Sequence, residues 1–436
     1  MTRLAAGLAH RLCTLGLRSP AAAALVLAPP AATHVPTASF VLAAAPLVLA
    51  ATLVLTPSTG RAQEVRTAGE ERLTVRGFVS ASLFVDDQFF APGNGQNALW
   101  ADLPELRDDR WFLGGDVRNT RLTLDFDGPR VFGNWRARAL LEVDFFGGFT
   151  GVGAFSDEQP NPRLRLAYAD LTNGRTTVRI GQAWSPTFGY IPESLTHIGF
   201  PLGWGSGGLI GWRFPGIFLY HDLTPGGAWD AEVQVAAFRG SWSDELFPDD
   251  VSAGEATLWP QFEARFGLGR SPQRGTSWEA FIAVHIDHKD LSGPGDDTDF
   301  DLDGWAFVGG FRVRPGRFTI LANGYVGEAI GQMFAQILQF GDFEGWGAQA
   351  QIGYDFARNW SVWAFYGIDD PDDDDADEGL LRLENQIVAA MLRYRVRQYA
   401  IGLEWFRAMT DHRLPLLDGE RGANGNQFAL SVRYDF

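Results

Sequence analysis

The sequence predicts an all-β fold, a 16-stranded antiparallel transmembrane β-barrel with short turns at one end and long loops at the other. Three observations support this. Segments of about ten residues in which apolar and polar side chains alternate recur along the chain, as expected of strands that face lipid on one side. The connections between them alternate between short turns rich in Gly, Pro and Asn and long polar loops. The start of the chain has the composition of an export signal.

Residues 1–62 are predicted to form that export signal, a cleaved signal peptide. They contain arginines but no acidic residue, and residues 40–55 are almost wholly apolar yet shorter than the ~20 residues of a membrane-spanning helix. Gly60 and Ala62 are small residues at the two positions that a signal peptidase recognises. Cleavage after Ala62 would leave residues 63–436 as the barrel.

Charge and cysteine content narrow the functional classes. Residues 63–436 contain 32 basic and 53 acidic residues, and 19 of the acids lie in three stretches without Lys or Arg, residues 240–257, 290–303 and 369–378. The rest is nearly neutral, which argues against nucleic acid as a partner. The single cysteine, Cys13, lies in the leader, so we expect no disulfide and no thiolate metal ligand in the exported chain. We also expect no cofactor.

Sixteen segments alternate with period two. In the last of them, the apolar residues Phe428, Leu430 and Val432 share one face, and the chain ends on an aromatic residue, as in bacterial outer-membrane barrels. The predicted strands are residues 73–85, 121–127, 135–145, 163–171, 177–183, 210–222, 229–238, 259–267, 277–287, 305–312, 318–326, 346–356, 360–366, 388–396, 399–407 and 427–436. This pattern predicts short periplasmic turns and long extracellular loops in the outer membrane.

Tryptophans recur near the starts of the predicted strands, and we expect their rings to form an aromatic girdle at the short-turn interface. They are Trp135, Trp229, Trp259, Trp278, Trp305, Trp346 and Trp360.

The faces opposite the apolar ones carry many charges. Burying so many charges in a dry core would be costly unless each were paired. A barrel of about sixteen strands can instead enclose water. We therefore predict an aqueous pore whose lining includes Arg121, Arg136, Arg138, Glu142, Asp144, Arg165, Arg179 and Arg213.

Several segments resemble one family. Residues 116–129 (DVRNTRLTLDFDGP) and 140–148 (LLEVDFFGG) resemble the second and third strands of phosphate-selective and DcaP-like trimeric porins, and residues 163–171 (RLRLAYADL) and 180–186 (IGQAWSP) resemble the next two. The match is specific over residues 116–222. The resemblance implies a homotrimer in which the loop after strand five folds inward and narrows the pore.

By position that loop is residues 185–209, and its candidate constriction residues are Pro192, Glu193, His197 and Trp204. Glycines would allow its backbone to pack closely, and its apolar side chains could dock on the barrel wall. On an outer surface those side chains would be too exposed.

We therefore expect an outer-membrane porin, not an enzyme, that lets small polar or anionic solutes diffuse passively, with outer-membrane lipid and lipopolysaccharide around it. Arginines on strands two to six face Asp230 and Glu232 of strand seven, which would create a transverse field across a constriction. Because Lys289 is the only lysine, a lysine-rich phosphate ladder is missing. A phosphate- or dicarboxylate-selective porin remains an alternative.

A barrel enzyme or an adhesin is a less favoured alternative. In residues 203–207 (GWGSG), Trp204 stands where a G-x-S-x-G nucleophile elbow requires glycine, although His197 could face Ser194 or Ser206. We placed the subunit contact on residues 210–220, which are apolar on both sides.

Overall fold

The computed structural model describes residues 63–66, 71–103, 111–150, 159–242, 251–271, 275–292, 301–373, 381–414 and 419–436. The predicted leader and parts of the three acidic stretches lie outside the described residues. Within them, one short α-helix, α1 (Ala253–Ala256), and three 3₁₀ turns (Gly95–Asn97, Gly331–Met333 and Gln336–Leu338) are present, and no helix has the length and apolarity needed to cross a bilayer. The strands are β1 (Gln63–Arg66), β2 (Arg72–Asp86), β3 (Phe90–Pro92), β4 (Ala98–Ala101), β5 (Phe112–Asp116), β6 (Arg121–Phe132), β7 (Trp135–Asp144), β8 (Arg163–Thr172), β9 (Thr176–Trp184), β10 (Arg213–Asp222), β11 (Asp230–Phe238), β12 (Gln261–Arg270), β13 (Ser277–Asp290), β14 (Asp301–Arg314), β15 (Phe318–Glu328), β16 (Glu344–Tyr354), β17 (Trp360–Pro371), β18 (Arg382–Val396), β19 (Tyr399–Leu414) and β20 (Gly419–Asp435).

The strands form one antiparallel sheet that closes on itself, and β3 and β4 form a separate hairpin. Closure occurs where β2 pairs with β20, with Leu83 opposite Leu430. Both β5 and β6 pair with β2 and together act as one barrel strand, interrupted at residues 117–120. With β5 and β6 counted once and the short β1 left aside, the barrel has 16 strands. The predicted fold class is confirmed.

Each of the sixteen predicted segments overlaps an observed strand. Many observed strands extend further at the long-loop end, as β18 and β20 do. No alternation marks β5 or the β3–β4 hairpin, because both are short and lie in or beside residues 86–115, which the pattern assigns to one long loop.

The two faces of the barrel differ in the way expected for a membrane protein. Along β13, Ile282 and Ile286 are 67% and 57% exposed on the outside, whereas Ala283 and His285 between them are 4% and 1% exposed. Large apolar side chains are exposed in the same way on the other barrel strands. This outer surface matches a hydrocarbon environment, and the charged side chains point inward.

The prediction of a single aromatic girdle is wrong. Trp135, Trp229, Trp278 and Trp360 lie at strand ends that follow short turns, but the other three follow long loops. Tryptophan therefore marks both ends of the barrel, as expected when each rim meets a membrane interface. The three at the long-loop end are Trp259, Trp305 and Trp346.

Candidate functional site

Residues 185–209 connect β9 to β10 and contact the inner side chains of strands far along the chain. Next to their start, Glu263 of β12 accepts hydrogen bonds from the Thr187 backbone N–H (2.8 Å) and hydroxyl (3.0 Å). Asn323 of β15 accepts from the Tyr190 N–H and donates to the Tyr190 carbonyl, both at 2.8 Å. These polar side chains satisfy a backbone that has no ladder partners of its own.

Further along the segment, Glu404 of β19 is the main partner. Its carboxylate accepts from the Ser194 hydroxyl (2.6 Å) and from the N–H groups of Leu195 (2.6 Å) and Thr196 (2.8 Å). The Thr196 hydroxyl also lies 2.7 Å from the hydroxyl of Ser431 on β20. The segment is therefore bonded to β19 and β20, which lie several strands away from β9 around the closed barrel.

Pro192 is buried, and Glu193 beside it is exposed but well bonded. Gln351 of β16 accepts from the Glu193 N–H (2.7 Å) and donates to its carbonyl (2.9 Å). The Glu193 carboxylate pairs with Arg393 of β18 at 2.8 Å. Neither the amide nor the arginine partner was evident from the sequence.

Trp204 anchors the aromatic part of the segment and is fully buried. Its indole N–H donates to the Gly211 carbonyl (2.8 Å), and its ring stacks on Trp212 (5.0 Å) and Phe334 (4.4 Å). Phe334 belongs to residues 329–343, another segment between strands that packs here. Trp212, one residue of the predicted subunit contact at residues 210–220, thus packs inward, whereas Ile217 and Leu219 of that stretch are exposed.

His197 is buried and stacks on Phe406 at 4.9 Å between ring centroids. Burial lowers its pKa from 6.5 to about 4, so the ring is neutral at physiological pH. The Ser194 hydroxyl donates to Glu404, and the Ser206 hydroxyl has no hydrogen-bond partner among the described residues. The described contacts pair neither serine side chain with the histidine ring.

Carboxylates on β13 and β17 are also covered by the segments between strands. Lys289 is fully buried and bonds Asp287 (2.6 Å) and the carbonyl of Ala329 (3.0 Å), while Gln332 donates to the other Asp287 oxygen at 2.5 Å. Asp369 is buried, accepts from the Tyr325 hydroxyl of β15 at 2.6 Å, and is bonded by the backbone N–H groups of Gly208 and Ile337, which belong to two of these segments. Carboxylates on this side of the barrel therefore hold these segments in place.

Arginines gather on the opposite side, between the β5–β6 connection and β10. Glu142 and Asp144 both accept from Arg165 at 2.8 Å, and Asp144 also pairs with Arg163 at 2.8 Å. Arg118 pairs with Asp116 at 2.5 Å. We call this set the basic cluster; it comprises five arginines, Arg118, Arg121, Arg163, Arg165 and Arg213, and three carboxylates, Asp116, Glu142 and Asp144.

Two arginines of the basic cluster are only weakly compensated. Arg121 lies 3.8 Å from Glu142, and two of its guanidinium nitrogens have no hydrogen-bond partner. Arg213 has two such nitrogens and lies over the rings of Trp184 (4.9 Å) and Trp212 (4.4 Å). Aromatic faces stabilise a cation without neutralising it. The basic cluster therefore carries a net charge of +2.

The remaining predicted arginines lie nearer the short-turn end. Arg138 forms a two-pronged pair with Asp125 at 2.8 and 2.5 Å. Arg179 does the same with Asp170 at 2.8 and 2.9 Å. Arg136 is exposed on β7. The structure thus groups Arg121, Glu142, Asp144, Arg165 and Arg213 and leaves these three apart.

Sequence reasoning missed Arg118 and Arg163 and the anchors Glu263, Asn323 and Glu404. Arg118 precedes β6 and Arg163 is the first residue of β8, so both lie at the edge of long loops, where alternation gives no direction. Anchoring side chains look like any inward polar residue until the segment that they bind is placed.

Comparison with solved structures places this barrel among outer-membrane channels in fold. The outer-membrane channel DcaP of Acinetobacter baumannii superposes with a TM-score of 0.64 at 19% identity, over 85% of this chain and 99% of that one. The anion-selective porin from Comamonas acidovorans gives 0.52 at 13% identity, over 84% and 100%. OmpF of Salmonella typhi in complex with daunomycin gives 0.52 at 11%, over 86% and 100%. No family model matches the sequence, and a search of curated proteins finds no match. At these identities the likeness establishes a porin-type barrel fold.

Proposed function

We propose that this protein is an outer-membrane porin, a water-filled channel for the passive diffusion of small polar or anionic solutes. The observation that supports the proposal is a closed 16-stranded barrel with an apolar exterior and a charged interior. Residues 185–209 are hydrogen-bonded to inward side chains of this barrel, on strands that include β12, β19 and β20. A soluble protein would have no reason to expose apolar side chains on the outside of a barrel. We further propose that residues 1–62 are removed on export and that the mature chain forms a homotrimer.

In this proposal residues 185–209 constrict the lumen and set its preference. The segments between strands cover carboxylates such as Glu263, Asp287 and Glu404. In the basic cluster, Arg165 and Arg213 are also buried, but Arg118, Arg121 and Arg163 keep 17–20% of their side-chain surface exposed. A passage with fixed positive charge beside it attracts anions. We therefore propose a preference for anions over cations.

The test is the reversal potential of the purified, bilayer-inserted protein under a gradient of KCl. We expect an anion-selective potential that falls when Arg121 and Arg213 are both replaced by Gln. The matched control is Arg138→Gln with Arg179→Gln, which removes the same charge outside the basic cluster. A smaller change in this control than in the Arg121/Arg213 variant supports the cluster as the selectivity element.

Absence of conductance would overturn the channel proposal. A cation-selective or unselective current would keep the channel and reject the anion preference. A phosphate- or dicarboxylate-selective porin is the second candidate, supported by the unpartnered guanidinium nitrogens of Arg121 and Arg213. It requires that millimolar phosphate or succinate block the chloride current of the wild type and not that of the double variant.

A further inference from the structure

A second group of arginines surrounds a cavity of about 550 Å³ at the short-turn end of the barrel, away from the basic cluster. Trp360 and Ser361 of β17 form part of its wall, and Asp355 is the single carboxylate among its lining residues. The arginines are Arg317, Arg358, Arg393, Arg395 and Arg397.

Three neighbouring hairpins bring these side chains together. Arg317 lies in the turn between β14 and β15, Arg358 in the turn between β16 and β17, and Arg397 in the turn between β18 and β19. The turns are joined through the backbone, since Asp355 donates its N–H to the Arg317 carbonyl at 2.9 Å. Arg395 donates its N–H to the carbonyl of the residue after Arg358, at 2.8 Å. The three turns that carry these arginines are thus held next to one another.

Two arginines of the cavity are already paired. Arg393 binds Glu193 at 2.8 Å, and Arg395 binds Asp435 at 3.2 Å. Asp435 is shared with Arg433, which lies 2.5 Å from it. The carboxylates of Glu193 and Asp435 are therefore already ion-paired, and Asp435 pairs with two arginines.

The three turn arginines have no ion-pair partner among the residues that the structure describes. The five lining arginines and Arg433, which shares Asp435 but does not line the cavity, are accompanied by the three carboxylates of Asp355, Glu193 and Asp435, which leaves three positive charges. The three turn arginines are exposed, so water screens part of their repulsion, and an anion bound between them would offset more of it.

Arg397 also occupies a backbone position that favours glycine. Its φ is +53°, in the left-handed region, where a residue with a Cβ is disfavoured by about 1–2 kcal/mol. A two-residue hairpin turn usually has Gly, Asn or Asp there. The backbone conformation of this turn therefore does not explain why position 397 holds an arginine.

We propose that this cavity binds a multivalent oxyanion, a molecule with two or more phosphate or carboxylate groups. Guanidinium groups bind both kinds of group through paired N–H donors. The cavity volume lies within the roughly 300–1,000 Å³ of small-ligand sites, and the three surplus charges match a polyvalent anion better than a single carboxylate. The occupant is either a soluble anion or the headgroup of an acidic phospholipid from the adjoining leaflet. This site does not depend on whether the barrel conducts.

Pyrophosphate is the probe, titrated calorimetrically into the detergent-solubilised protein at low ionic strength. The test variant combines Arg358→Gln with Arg397→Gly, and glycine suits the left-handed turn, so the fold is retained. We expect binding to weaken at least about tenfold, because a hydrogen bond to a charged group contributes that much or more. Arg175→Gln is the matched control, since Arg175 lies in the β8–β9 turn at the same end of the barrel but outside the cavity.

Pyrophosphate that does not bind the wild type, or that binds the double variant equally well, overturns the proposal. So does an equal loss in Arg175→Gln, because binding would then follow overall charge. Repeating the titration in phosphatidylcholine vesicles with and without phosphatidylglycerol identifies the occupant. Weaker pyrophosphate binding with the acidic lipid supports a headgroup in the site, and unchanged binding supports a soluble anion. Neither readout needs a current, so failure here is separate from failure of the channel proposal.

Discussion

Glu404 offers the sharpest test of how residues 185–209 are held. It accepts three hydrogen bonds from Ser194, Leu195 and Thr196, and no other single side chain receives as many from this segment within the described residues. Hydrogen bonds to a charged group contribute about 1.5–3 kcal/mol each. Water in the lumen would replace part of what is lost. We therefore expect Glu404→Ala to weaken docking of residues 194–196 by about 3 kcal/mol, a factor of about 150 in the docked population.

The assay is chemical labelling of a cysteine placed at Leu195, which is 4% exposed in the docked segment. The native cysteine, Cys13, lies in the predicted leader, so the exported chain supplies a background free of thiols. If docking and release are fast compared with labelling, the maleimide rate follows the released fraction. We expect the rate to rise about a hundredfold in the Glu404→Ala background, with larger fluctuations of the single-channel current.

Two controls separate anchoring from general damage. Glu404→Gln keeps an oxygen that can accept from Leu195 and Thr196, so its labelling rate should stay within about tenfold of the wild type. A cysteine at Ile191, which is 47% exposed already, should react equally in every background. Equal rates at position 195 in wild type and Glu404→Ala would refute the anchoring role.

Three further predictions concern the segments between strands. Lys289→Met should lower the free energy of unfolding by about 3–5 kcal/mol, because it removes the ammonium partner of the buried Asp287 carboxylate. Adding Asp287→Leu should recover part of this loss, and heat-induced mobility shifts on gels measure both changes. The pKa of His197, about 4 when folded against 6.5 when free, means that the folded state resists protonation, so docking should weaken as pH falls from 6.5 to 4. Fluctuations of the single-channel current should grow as the pH falls over that range, and the His197→Asn variant should not show this growth. A wild-type current whose fluctuations do not depend on pH would contradict the role of His197. Gly208→Ala should lower the unfolding temperature, because φ is +87° and a Cβ would collide with the backbone of Ala348. An unchanged unfolding temperature would show that the backbone at Ala348 can move aside for the added methyl group.

Period-two alternation was sufficient to locate the sixteen barrel strands, because lipid outside and water inside impose opposite polarity on successive residues. It was not sufficient for register. The pairing of β7 with β8 shifts at Glu142 and Val143, which face Leu166 and Leu164 and leave Arg165 between them. A β-bulge of this kind changes which residues face inward, and its position depends on both strands. Strict alternation from Arg165 therefore could not reveal that Asp170 also faces inward.

The segment at residues 329–343 shows a different limit. Ala329, Phe334, Gln336, Ile337 and Leu338 all have positive φ, a conformation that the sequence would assign to glycine or asparagine. Local preference is overridden here by tertiary contacts. The Tyr325 hydroxyl accepts from the Gln336 N–H at 2.9 Å, and the Gln336 side chain accepts from the Ile330 N–H at 3.2 Å. No pattern within the segment itself could have predicted such a path.

The electrostatic character of the lumen also depends on the segments and not on composition. Counted along the strands, inward arginines and carboxylates are about equal, and the sequence therefore suggested only a mild preference. The structure separates them by use: Glu263, Asp287, Asp369 and Glu404 are buried as acceptors for segments that fold onto them. Acceptors of that kind are needed because backbone N–H groups away from a sheet require partners. The acids that hold the segments are thereby removed from contact with solutes. Some arginines also bind the segments, as Arg265 does through the carbonyls of Pro186 and Phe188. Arg118, Arg121 and Arg163 stay partly exposed. Selectivity and segment docking should thus change together, so that releasing the segment at Glu404 should weaken anion preference without altering any arginine.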